Sequence, residues 1–270
     1  MHASSSSFAS RTSHALHASI NARLYACWAT SDADLRDAQR LRRQVFFEER
    51  AVAQIALEPK VAERDVDDFD RFCDHLLVKA TDQAGSGEDQ VVGTYRVLAP
   101  DAARQAGGYY TETEFELRGF ERMRHGAVEL GRSCVHQDFR CGGVIMLLWS
   151  ALGAYMQQRG LESVIGCCSV SLGDEGRAAR AIWRKLAASH LVPAAQRALP
   201  RVPFDLQEDD STILTPTQMP PLMKGYMRCG ARLLGPPAYD PVFDTADFPM
   251  LLRLKEMAPS YRQHFLGARM

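Results

Sequence analysis

The sequence predicts a mixed α/β fold built on one sheet, and two observations carry that expectation. Short apolar and β-branched runs alternate with segments whose apolar residues recur at helical spacing. The composition, 46% hydrophobic and 24% charged over 270 residues, suits a globular chain with one substantial core. A formal net charge of -1 gives no global bias toward nucleic acid. No apolar run is long enough to read as a membrane-spanning helix. The seven cysteines show no zinc-like spacing and several sit in apolar runs, which reads as reduced, buried thiols of an intracellular protein.

The first 31 residues contain no acid and are rich in Ser, Ala and His. They lack the continuous apolar core of a secretory signal. Residues 1–22 are therefore read as a disordered tail, with an organelle transit peptide as the alternative. Residues 23–270 are expected to form a single domain.

Order begins at LYACWAT (24–30), a short strand. Ser31 and Asp32 then offer an N-cap to the helix ADLRDAQRLRRQVFFEER, where Leu35, Ala38, Val45 and Phe46 share one face. Arg42 stands among them, a charge on an inward stripe. An irregular connection rich in acids, ending DVDDFD, leads to two strands, HLLVKA (75–80) and QVVGTYRVLAP (90–100), joined by the hairpin loop TDQAGSGED. A polar stretch, TETEFELRGFERMR, precedes the strand VELGRSCVHQDFR (128–140). A helix from Gly143 to Arg159 follows, with Ile145, Leu148, Trp149, Leu152 and Met156 on one face and Gly160 at its C-cap. LESVIGCCSVSLGD is another strand. Residues 175–215 read as an inserted basic helix and a Pro-containing loop. PPLMKGYMRCGARLLG gives a short helix ended by Gly230 and a returning strand. The expected order is β-α-β-β-β-α-β-α-β.

Two features of this pattern point to chemistry. Glu129 and Arg132 lie in a strand that otherwise looks buried, and buried charges are paired or at work. Residues three apart in a regular strand face opposite sides, so a bulge at Gly131 is expected if the two act together. Secondly, Arg140-Cys141-Gly142-Gly143-Val144 joins that strand to a helix, where unpaired N–H groups and close backbone approach suit a phosphate.

The segment VHQDFRCGGVIMLLWSALGAYM resembles the acyl-coenzyme binding segment of the GNAT acyltransferases. LRRQVFFEER, DVDDFD, VVGTYRVL and VELGR resemble, in order and spacing, the blocks of acyl-homoserine-lactone synthases. The matching residues are Arg42, Phe46, Asp67, Asp70, Arg96, Glu129 and Arg132. The tryptophan of that family has no counterpart at Arg50–Ala53. IWRKL (182–186) and the ending PPLMKGYMRCGARLLGPPAYDPVFDTADFPMLL are instead similar to the bacterial ornithine N-alpha-acyltransferases.

The resemblance implies a GNAT-like fold, a mixed and mostly antiparallel sheet flanked by helices. It implies transfer of a (3-hydroxy)acyl chain from acyl carrier protein, or from acyl-CoA, to the alpha-amine of L-ornithine. Glu129 is then the base that frees the amine, directly or through water. Arg132 shares its site, and Tyr226, four residues before Gly230, protonates the departing thiolate. Asp67 and Asp70 would hold the acceptor's cation, Arg42 and Arg96 its carboxylate, with Phe46 beside them. Arg140, Cys141, Gly142, Gly143 and Val144 would hold the donor's phosphate. The basic runs RAARAIWRKLAASH and ERMRHG suit an acidic carrier protein. No tightly bound cofactor, metal or nucleic acid is expected. The implied enzyme is cytoplasmic, and its amphiphilic product leaves room for peripheral contact with the inner membrane. The alternatives are an N-acyl synthase for another amino acid, a lactone synthase and a haemolysin-like membrane-active protein. The last would need a strongly amphipathic or spanning segment that the sequence lacks.

Overall fold

A computed structural model describes residues 22–49, 63–82, 89–207 and 219–266. Residues 1–21 of the expected tail, most of the 75–100 hairpin loop and residues 208–218 of the expected insertion lie outside them, while Ala22, the last residue assigned to the tail, already belongs to a strand. In chain order the elements begin with β1 (Ala22–Trp28), α1 (Asp32–Arg43), β2 (Asp74–Asp82) and β3 (Gln90–Leu98). Next come α2 (Pro100–Gln105), α3 (Thr111–Glu114), β4 (Phe115–Leu117), β5 (Ala127–Val135), α4 (Gly143–Gln158) and β6 (Ser163–Ser171). The chain continues through α5 (Arg177–Ala187), β7 (Ala198–Pro200), α6 (Pro221–Cys229), β8 (Arg232–Leu233), β9 (Ala238–Asp240), β10 (Thr245–Arg253) and α7 (Pro259–Leu266). The sequence divides into two compact units, and β5 contributes residues to each: residues 1–67, 74–96 and 132–152 belong to the first, the rest to the second.

In the first unit β1 pairs antiparallel with β2, from Ala22 opposite Asp82 to Trp28 opposite Leu76. β3 lies beside β2, and the latter part of β5 beside β3. Ser31 caps α1 by accepting a 3.2 Å bond from the Asp34 N–H, as the sequence predicts. The helix then widens into a π-helical turn over Gln44–Glu48. Ala38, Leu41 and Val45 pack with Leu77, Val91 and Cys134, and Phe46 lies against this cluster. Gly93 lets α4 approach β3, since a Cβ there would stand 2.3 Å from a Val144 methyl. Burial pushes the Cys134 thiol up to about 12, so this cysteine behaves as an inert apolar residue.

In the second unit the first residues of β5 pair parallel with β6, from Ala127 opposite Ser163 to Glu129 opposite Ile165. β6 runs antiparallel to β10 along nine residues of each, and β8 and β9 also pair with β10. A small second sheet joins β4 to β7. Here the fold departs from the sequence-based order. The strand expected after Gly230 is only the two-residue β8, and the long returning strand is β10. Pro249 within β10 argues against a central strand by its missing N–H. Its carbonyl nevertheless accepts the Leu234 N–H at 2.8 Å. The polar stretch TETEFEL supplies α3 and β4.

Candidate active site

Within the first unit, five charged side chains form an alternating chain. Arg42 is 1% exposed because it follows Ala38 by one helical turn on the inward face of α1. Its Nε stands 2.8 Å from Asp65 Oδ2, and its Nη2 donates to the Asp65 carbonyl. Arg132 Nε lies 3.3 Å from the same Asp65 oxygen, and Arg132 Nη2 donates to Asp67 Oδ2 at 3.1 Å. Arg96, buried on β3, donates to both oxygens of Asp67. Charges so desolvated persist only when paired, and removing one partner of a buried pair costs about 3–5 kcal/mol. Arg42, Asp67, Arg96 and Arg132 are thus brought together, with Asp65 as the member the sequence reading did not single out. Phe46 packs against the apolar cluster of α1.

Next to Gly131, where a bulge is expected, the backbone of β5 departs from a regular strand. Arg132 itself has a φ of 49°, in the left-handed region that non-glycine residues rarely enter. Such a residue carries about 1–3 kcal/mol of local strain and persists where its surroundings hold it. The ion pairs to Asp65 and Asp67 supply that restraint.

Within the second unit, Glu129 is 4% exposed. Its carboxylate accepts the Tyr110 N–H at 2.5 Å and the Thr111 N–H at 2.6 Å, and also the Thr111 hydroxyl. These donors belong to the start of α3, so a turn of backbone orients the carboxylate. Asp70 is buried at the start of a single 3-10 turn in the same unit.

At the other end of α3, carboxylate oxygens of Glu114, Asp240 and Asp247 lie within 4.8 Å of one another, close enough to share a cation. Burial, then the charges of Asp247 and Asp240, push Glu114 up to about 9. Burial also raises Asp247. The cluster therefore holds a proton at neutral pH, which relieves the repulsion. Asp247 sits in an apolar strand and was the signal that could have exposed this group.

A small, mostly apolar pocket of about 20 Å³, room for about one water, is lined by Leu130 of β5, Val164 to Cys168 of β6, Tyr226 and Ala231, and Met250 and Leu252 of β10. Gly166 has a φ of 156°, and a Cβ there would meet the Leu130 carbonyl oxygen at 2.3 Å. Only glycine permits this approach. Gly230, with a φ of 101°, ends α6 by donating to Met227 O while Ala231 donates to Tyr226 O. This cap fixes the helix end that carries Tyr226. Burial raises the thiols of Cys167 and Cys168 well above their ordinary value, so both remain protonated.

The glycine loop lies in the first unit. Gly142 has a φ of 97° with open space where a Cβ would point, Cys141 is exposed, and α4 starts at Gly143 with no acid in its first turn. Val144 is buried beneath it. Arg140 donates from Nε to the Val135 carbonyl at 3.0 Å and pairs through Nη2 with Glu49.

Residues 41–150 match the acetyltransferase (GNAT) domain family. The L-ornithine N(alpha)-acyltransferase of Rhizobium meliloti (strain 1021) is 33% identical over 252 residues, 88% of this chain and 82% of that protein. The protein of the same name from Agrobacterium fabrum is 32% identical over 253 residues, 88% of this chain and 84% of that one. Among solved structures, the acyl-homoserine-lactone synthase LasI aligns at a TM-score of 0.49 with 14% identity, over 92% of this chain and 98% of that one.

Proposed function

This chain belongs to the L-ornithine Nα-acyltransferase family, and on that footing we propose that it moves a 3-hydroxyacyl chain from acyl carrier protein to the α-amine of L-ornithine. The observation that carries the reading is the buried Glu129 carboxylate, oriented by the Tyr110 and Thr111 N–H groups, with its neighbour Leu130 and Tyr226 walling a small apolar pocket. That wall suits the thioester group of a donor, which needs no charged partner.

The steps follow from the groups present. At neutral pH the amine is mostly an ammonium and cannot attack. Glu129, held by the Tyr110 and Thr111 N–H groups, takes its proton directly or through a water. The amine nitrogen then bonds to the thioester carbon, and the electron pair moves to the carbonyl oxygen. Collapse breaks the C–S bond, the Tyr226 hydroxyl gives its proton to the departing thiolate, and the proton that the attacking nitrogen still has to lose passes to Tyr226 directly or through water, leaving the amide. Transfer is direct. The thiols of Cys167 and Cys168 are held protonated, so neither is a nucleophile for an acyl-enzyme. In the other unit the Arg42, Asp65, Arg132, Asp67 and Arg96 chain offers both signs of charge to an amino acid acceptor, with Asp70 a further candidate, and the Arg140–Val144 loop receives the donor's phosphate.

The exposed Arg177, Arg184 and Lys185 of α5 suit the acidic face of a carrier protein. No helix among the described residues is long and apolar enough to cross a membrane, and the amphiphilic product calls for peripheral contact with one. The test is to incubate the purified protein with 3-hydroxyacyl carrier protein and a panel of amino acids. Acyl-ornithine and free carrier thiol are expected. Acyl transfer to another amino acid alone, or to none, overturns the proposal.

A further inference from the structure

The loop proposed to receive the donor's phosphate contains its own counter-charge. Arg140 is the cation of this loop, yet its Nε is committed to the Val135 carbonyl and its Nη2 to Glu49. Glu49 is placed by the π-helical turn at the end of α1, where its N–H donates to Gln44 O at 3.0 Å. Its side chain is 16% exposed, against 48% for Arg140. Its second oxygen, Oε1, is buried and accepts no hydrogen bond among the described residues. A carboxylate held against the one arginine of a phosphate loop works against anions.

The candidate donors differ in charge at this end. Acyl-CoA brings a diphosphate and a 3′-phosphate, whereas a carrier-bound arm brings one phosphodiester. The repulsion from one fixed carboxylate grows with each charge the donor carries. We propose that Glu49 sets donor selectivity, by neutralising Arg140 and so weakening the loop's hold on acyl-CoA more than on the singly charged phosphopantetheine arm of a carrier protein. The proposal rests on the acyltransferase reading for the loop's role, and its test reads binding rather than turnover.

Affinities of the wild type and Glu49→Gln are measured by calorimetry for pantetheine, 4′-phosphopantetheine and CoA. The substitution is expected to tighten CoA by about tenfold, phosphopantetheine by less and pantetheine not at all, with the gain fading as salt rises. Should the amide fail to fold, Glu49→Ala reads the same order. Equal tightening of all three ligands, no gain for CoA, or no CoA binding in either protein overturns the assignment. Acyl transfer by the wild type is scored separately. A chain that transfers acyl groups but shows no charge-ordered gain refutes only the role of Glu49.

Discussion

Replacing Glu129 by glutamine keeps the side chain's shape and removes its charge, and the structure fixes what that does. Two backbone N–H groups and one hydroxyl point at this carboxylate. The amide has one oxygen, so its NH2 must face at least one backbone N–H that cannot accept. One buried donor left unsatisfied costs about 1–3 kcal/mol. At roughly 2–4 °C per kcal/mol, the unfolding midpoint should fall by about 3–10 °C, leaving a folded protein at room temperature. Loss of a general base lowers the rate by about a hundredfold to ten-thousandfold. The assay is release of carrier thiol at saturating ornithine, followed across pH. Below the amine's pKa its neutral fraction grows about tenfold per pH unit, so the variant's residual rate should climb with pH more steeply than the wild type's. A deficit that is the same at every pH, or activity within tenfold of wild type, would show that Glu129 only braces the start of α3.

Three other perturbations have equally definite outcomes. Asp65→Asn strips the shared partner of Arg42 and Arg132 and should cost about 3–5 kcal/mol in chemical denaturation, more than Asp67→Asn, whose side chain is more exposed; equal losses would contradict the chain of pairs. Glu114 has an ordinary value of 4.5 and is raised to about 9 in the fold, so between these values the native state holds a proton that the unfolded state has lost. Stability must then fall as pH rises through that window, by up to about 1.4 kcal/mol per unit, and Glu114→Gln should flatten the fall. Parallel melting curves for the two proteins would count against the shared proton. Gly166→Ala places a methyl against the Leu130 carbonyl and should lower both the melting point and acyl transfer, whereas an unchanged protein would mean that β5 and β6 can move apart freely there.

The elements up to β6, apart from α2, α3 and β4, were legible because apolar spacing dominates them, and Arg42, Glu129 and Arg132 stood out as charges on apolar faces. What escaped the sequence was partnership. Asp65 looks like one more acid in a solvated loop until Arg42 and Arg132 are seen to converge on it. The donors that orient Glu129 are main-chain groups of a polar stretch, and side-chain identity carries no signal for them. A bulge at Gly131 is what the sequence leads one to expect, from the need for Glu129 and Arg132 to share a side. The left-handed backbone of Arg132, held by two ion pairs, has no such signal in the sequence. β10 was hidden by Pro249 and Asp247, both poor strand residues, which the fold accommodates with a carbonyl-only contact and a buried carboxyl that burial makes a weaker acid.

The central claim is that one acyl group passes to the α-nitrogen of ornithine. It is tested most directly by supplying L-ornithine labelled with ¹⁵N at the α position together with 3-hydroxyacyl carrier protein. The product is then read by proton NMR. The account predicts a single new amide proton split by coupling to ¹⁵N, appearing in step with free carrier thiol. An unsplit amide proton, which places the acyl group on the δ-nitrogen, or thiol release without any acylated ornithine, would contradict it.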